Sequence, residues 1–182
     1  MKRYTYRMKT FQIQIFGTIL IAVFVLLPVF AAAQFANGSG TEEDPYQVET
    51  LEQLQEIRNH TDKHFIQIAD IDASETAEWD DGKGFDPLGG RFYYDGQGYV
   101  ISDLTINRAD RNSVGLFGHA GNSILKNIGL ENADITGNRW VGGLVGDSNL
   151  SRIVNSWITG KETENRDVGG LAGKMGMGSF FC

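Results

Sequence analysis

The sequence predicts an all-β fold, a right-handed parallel β-helix with coils of about 28 residues, and three observations carry that prediction. Glycine-bracketed apolar runs recur as Val114-Gly115-Leu116-Phe117-Gly118, Val141-Gly142-Gly143-Leu144-Val145-Gly146 and Val168-Gly169-Gly170-Leu171-Ala172-Gly173, so that Gly118, Gly146 and Gly173 close them at a nearly constant interval. A serine-led run keeps step with them: Ser123 and Ser151 are separated by the same interval, as are Asn127 and Asn155, and Ser179 opens the next copy. Fixed-period self-similarity of this length is the mark of a solenoid. Finally, Leu104/Ile106 and Ile128/Leu130 alternate at period two in short segments bounded by Gly, Asn, Asp or Ser, so the repeating elements are strands. Right-handedness follows from the strong preference of parallel crossovers.

Taken in order, residues 1–33 read as a secretory signal. They hold Lys2, Arg3, Arg7 and Lys9 with no acid, an apolar run from Ile15 to Phe30, and Ala31-Ala32-Ala33 before Gln34. An uncleaved anchor competes with this reading, since Phe11–Phe30 approaches spanning length; Gln12, Gln14, Pro28 and the alanines favour cleavage. Cleavage leaves 12 basic against 23 acidic side chains. Such acidity argues against a nucleic-acid partner, and no membrane insertion is expected once the signal is gone. The single cysteine, Cys182, excludes an intrachain disulfide and any CxxC metal site. A secreted or bacterial cell-surface location is the expectation.

Residues 34–112 read as an N-terminal cap and the first coils. Thr50 can N-cap a helix, with Gln53 completing a capping box, and Leu51, Leu54 and Ile57 form its apolar stripe up to Asn59. Such a helix would cover the open end of the first coil. Phe65–Ile68 is expected as the first strand and Trp79–Gly84 as a loop, with Phe92, Tyr93 and Tyr94 packed beneath the cap.

Residues 113–182 are the repeats. Gly118, Gly146 and Gly173 are expected where a coil turns with positive φ or where stacked backbones approach closely. Ser123, Ser151 and Ser179 mark equivalent repeat positions, and Asn127 and Asn155 are expected to form an inward amide ladder at a turn. The sequence stops within a repeat, so a fragment of a longer protein is expected, able to self-associate through an open β-helix end.

These residues resemble a known family. Gly115-Leu116-Phe117-Gly118 and Gly143-Leu144-Val145-Gly146, the latter followed by Ser151, Ile153, Asn155 and Ser156, are similar to the GLUG-motif repeats of bacterial secreted and surface proteins. The resemblance runs over residues 38–181. It implies a parallel β-helix of the kind found in adhesin-like proteins and in non-catalytic parts of immunoglobulin-A-cleaving zinc metallopeptidases.

Chemical signatures are sparse. His60 and His64 have zincin spacing, but Thr61 stands where the general base belongs, so they read as loop histidines. His119 is expected at a turn. The acidic run Asp80-Asp81-Gly82-Lys83-Gly84 fails calcium-loop spacing, and Trp140 and Trp157 occupy different repeat positions, as packing residues do. No catalytic residue, metal site or cofactor is assigned. The expected function is a non-catalytic scaffold for adhesion or display, meeting a surface protein or glycan. The alternative is a non-catalytic segment of a larger secreted metallopeptidase or polysaccharide-degrading enzyme.

Overall fold

The structure, a computed structural model, describes residues 34–163 and 169–181; the expected signal segment, Val168 and Cys182 lie outside them. It is a β-solenoid of about four turns in which the strands pair in parallel. The first turns contain β1 (Tyr46–Val48), helix α1 (Leu51–Glu56) extended by a 3-10 turn (Ile57–Asn59), β2 (His64–Gln67), β3 (Ile71–Asp72), a 3-10 segment (Ser74–Gly82) and β4 (Leu88–Gly90). The next coil runs through β5 (Tyr93–Asp95), β6 (Val100–Ser102), β7 (Thr105–Asn107), β8 (Asn112–Val114) and β9 (Phe117–Gly121). The following one comprises β10 (Ile124–Lys126), β11 (Gly129–Thr136), β12 (Arg139–Val141) and β13 (Val145–Asn149). Strands β14 (Arg152–Val154), β15 (Trp157–Thr163), β16 (Ala172–Met175) and β17 (Phe180–Phe181) come last.

These strands stack into four sheets. Sheet A has the order β1-β2-β5-β10-β14-β17 and sheet B the order β15-β11-β6-β3, with β7 also beside β11. Sheet C has the order β16-β13-β9-β4, and sheet D pairs β12 with β8. The register carries the repeat directly: Ile124 faces Arg152, Leu130 faces Ile158, and Val145 faces Phe117 and Ala172.

Alternation along each strand sends one set of side chains inward. Phe65, Tyr94, Leu125 and Ile153 form one buried column, and Ile71, Ile101 and Leu130 another. Each fully buried Leu, Ile or Phe contributes about 1.5–3 kcal/mol. The buried polar groups have partners, as burial requires: the Tyr94 hydroxyl donates to Gln67 Oε1 at 3.0 Å, and Gln67 Nε2 donates to the Ala69 carbonyl at 2.9 Å.

The expected helix is present. Thr50 Oγ1 accepts from the Gln53 N–H at 3.3 Å, while the return arm from Gln53 Oε1 reaches the Glu49 N–H at 2.8 Å, one residue upstream of the usual capping box. Leu51, Leu54 and Ile57 are buried in the core. Three expectations for residues 34–112 need correction. Strand β1 precedes Phe65–Ile68 and pairs with it, because Tyr46 and Val48 supply the inward positions. Trp79–Gly84 lies within and just beyond 3-10 turns, interrupted by non-helical backbone from Trp79 to Asp81, and Trp79 stacks on Phe85 at 6.5 Å. Phe92 and Tyr94 are buried as expected, but Tyr93 alternates outward.

The repeat residues acquire distinct roles. Gly118, Gly146 and Gly173 do not have positive φ; each sits where a methyl group would strike a neighbouring backbone. The corner between sheets C and A uses left-handed backbone at Asn122, Leu150 and Gly178, each followed by a repeat serine. There the Phe92 N–H donates to Ser123 Oγ at 3.0 Å, the Ser123 N–H to Ser151 Oγ at 3.0 Å, and the Ser151 N–H to Ser179 Oγ at 3.4 Å. Each hydroxyl thus takes an amide from the coil before it. Asn155 Nδ2 donates to Asn127 Oδ1 at 2.8 Å, so the amide ladder exists, but Asn155 is exposed and the ladder runs along the outside. The physical reason is conformational: both asparagines are left-handed corner residues, φ 55° and 47°, and project away from the core.

Candidate functional site

The outer face of sheet A carries a groove of about 600 Å³. Its floor is built by the register. His64, Tyr93 and Ile124 point outward in successive coils, and Ile66, Asp95 and Lys126 form a second row beside them. Coils stack about 4.8 Å apart, so the groove runs along the solenoid axis across three coils. Glu42 and Pro45 line it as well, from the segment leading into β1.

That segment is held tightly. The amides of Ser39, Gly40 and Thr41 all donate to the Asp44 carbonyl at 2.9–3.2 Å, and the Asp44 N–H returns to Thr41 Oγ1 at 3.1 Å. The His64 N–H donates to the Gly40 carbonyl at 3.1 Å, fastening the loop to the floor. At Gly40, φ is 76° and a side chain would collide with the Tyr46 ring, so glycine is required at this turn.

On the floor, the His64 and Tyr93 rings stack at 4.2 Å and 7°. They stack along the coil-to-coil direction, so their edges face the groove. Arg91 lies over the Tyr93 ring at 5.1 Å and also hydrogen-bonds its hydroxyl. Asp95 is fully engaged: Lys126 Nζ lies 3.0 Å from Oδ2, while the Asn127 amide and the Gln97 N–H each donate to Oδ1 at 2.9 Å. Burial pushes the Asp95 carboxyl up, but the Asn127 and Gln97 hydrogen bonds together with Lys126 outweigh it, and the group lies below its ordinary value. Among the described residues, no hydrogen bond or ion pair engages the Glu42 carboxylate or the His64 ring nitrogens. Ile124 is 37% exposed.

The other residues considered from sequence lie elsewhere. His60 ends the 3-10 turn, with Nε2 3.3 Å from Glu56 Oε1 and its ring edge-on to Phe35, so it does not share a site with His64, which opens a strand. Among the described residues, no three His, Cys, Asp or Glu side chains gather as metal ligands. His119 is within β9 rather than at a turn, where strand alternation points it outward with Nδ1 3.6 Å from Asp147. Trp140 and Trp157 are both on the outside. Trp140 is left-handed at φ 56° and meets Arg139 at 4.6 Å and Lys174 at 4.3 Å, while Trp157 lies over Gly129 and is 44% exposed.

A second charged cluster ties the helical segment to later chain. Asp86 receives Arg58 at 2.7 Å and Arg111, and its backbone exchanges two 2.9 Å hydrogen bonds with the Gln55 amide. Burial raises the Asp86 carboxyl, but the Arg111 hydrogen bond and the charges of Arg58, Arg111 and Arg108 prevail and lower it. Gln55 and Asp86 are far apart in sequence and belong to no shared motif, so spacing alone gives no sign of the cluster.

No family model matches the chain. It is 39% identical over 157 residues to halomucin of Haloquadratum walsbyi, an alignment covering 79% of this chain and 2% of halomucin. It is 41% identical over 111 residues to the "Putative Gly-rich membrane protein" of Evansella cellulosilytica, covering 56% of this chain and 13% of that one. The chain therefore spans a small part of both relatives. Among solved structures, a "putative immunoglobulin A1 protease" from Bacteroides ovatus superposes with a TM-score of 0.55 at 23% identity, covering 71% of this chain and 42% of the other. That likeness is one of fold.

Proposed function

We propose that the chain is exported, loses residues 1–33, and serves outside the cell as a non-catalytic right-handed β-helix scaffold of GLUG type, used for adhesion or display. The observation that carries this is the division of labour in each coil. Inward columns, repeat serines and close-packed glycines hold the stack, while outward rows vary from coil to coil and form a groove under a fixed loop. Such an arrangement holds side chains rigidly along an extended face. The names of the two relatives, a halomucin and a Gly-rich membrane protein, support a surface location. No helix among the described residues is long and apolar enough to cross a membrane.

The test is antibody labelling of intact source cells, paired with binding of protein-coated beads to cell surfaces. Labelling without permeabilisation, together with saturable bead attachment, is expected. Labelling that appears only after cells are opened would refute surface display.

A further inference from the structure

We infer that the sheet A groove binds a neutral oligosaccharide chain lying along the solenoid axis, with about one sugar ring per coil. The inference rests on the display reading for its biological setting and on the groove alone for its chemistry. Three properties select this ligand class. The first is charge: Lys126, the cation lining the groove, is paired with Asp95, and Arg91 beside the floor is paired with Asp62 and the Tyr93 hydroxyl, so among the described residues an anionic polymer finds no unpaired cation there. The second is the kind of polar group on offer. The backbone of sheet A is committed to its ladder, so an extended peptide finds no run of N–H and C=O partners on this face. What remains is the Glu42 carboxylate and the His64 imidazole edge, which suit hydroxyl groups. The third is period. Floor residues repeat at the coil spacing of about 4.8 Å, close to the length of one pyranose unit, with Ile66 and Ile124 available to the C–H face of a ring.

The mode of contact is also constrained. Sugar stacking on an aromatic platform needs a free ring face, and here His64 and Tyr93 cover one another while Arg91 lies over Tyr93. Recognition therefore works through ring edges, the Glu42 carboxylate and the exposed isoleucine. The wall is fixed before any ligand arrives, because the loop of residues 38–45 is closed by its own hydrogen bonds, and a preformed wall limits the ordering loss on binding.

The experiment is isothermal titration calorimetry of the purified protein with cellohexaose, chitohexaose and maltohexaose, and with a heparin hexasaccharide as the anionic comparator. At least one neutral hexasaccharide is expected to bind and heparin is not. Ile124→Arg should weaken binding at least about tenfold by closing the floor, and Glu42→Gln should weaken it by about tenfold through loss of a charged hydrogen bond. Both side chains point outward, and unchanged thermal unfolding of each variant verifies that the fold is intact. Binding to heparin alone, binding indifferent to both substitutions, or no binding by any neutral member overturns the inference. Surface labelling of cells reads the display proposal separately, so either can fail while the other stands.

Discussion

Gly146→Ala puts the repeat glycines to the test. Gly146 lies in β13, where a methyl group would sit 2.7 Å from the Gly118 carbonyl oxygen and closer still to the Ser113–Val114 peptide, although ordinary contact begins near 3.4 Å. Neither side can yield freely. Val114 is in register with Val141, and the adjoining Val145 is in register with both Phe117 and Ala172. Overpacking a tight interior costs about 1–3 kcal/mol, and opening the ladder far enough to admit the methyl removes a hydrogen bond worth about 1 kcal/mol. The expected loss is therefore about 3 kcal/mol. Gly89→Ala is the matched control: it too lies in sheet C, without positive φ, and nothing lies within 4 Å of its added methyl. It should change stability by less than about 0.5 kcal/mol or raise it slightly by restricting the unfolded chain. Urea unfolding followed by far-ultraviolet circular dichroism measures both. Equal stability of Gly146→Ala and wild type, or equal losses in the two variants, would show that close approach is not why these glycines recur.

Two further outcomes follow from the hydroxyl corner and the arginine cluster. Ser151→Ala leaves the buried Ser123 N–H without its acceptor and should cost about 1–3 kcal/mol; in hydrogen exchange the Ser123 amide should quicken far more than the Phe92 amide, which bonds Ser123 Oγ instead, and equal change at both sites would disprove the relay. Asp86 has a lowered folded pKa, so its contribution is present above the unfolded value of about 3.9 and is lost as pH falls through the folded value. Asp86→Asn should therefore be less stable at neutral pH and show a shallower acid limb, read from denaturant midpoints between roughly pH 5 and 2; parallel limbs in variant and wild type would refute the assignment.

The architecture was legible because its determinants are periodic. Glycines, serines and asparagines at one nearly constant interval mark successive coils, and alternation in Leu104/Ile106 marks strands. What the period could not reveal is direction. A left-handed corner turns Asn127 and Asn155 outward, reversing the expected inward ladder. In Phe92-Tyr93-Tyr94 strand alternation splits an aromatic run that composition alone assigns to one place. The groove was hidden for a related reason. Its floor joins His64 to Tyr93 and Tyr93 to Ile124, steps slightly longer than the step from Ile124 to Arg152 at which the repeat settles. Side chains of different types then share a row that no sequence motif displays.

In the later coils the outer row continues from Ile124 to Arg152 and Phe180. In the early coils, the hydrogen-bonded loop before β1 brings Glu42 and Pro45 alongside the row, and there the outer face becomes concave. The groove therefore depends on the lead-in before β1, itself a departure from the repeat, and is built on a stack whose rigidity comes from the repeat. A solenoid can change its recognition surface at such a departure without disturbing the inward columns, because each coil contacts mainly its neighbours. In the proposed oligosaccharide site, residues 38–45 and the outward positions of β2, β5 and β10 would set specificity, while the repeat glycines and serines hold those positions still.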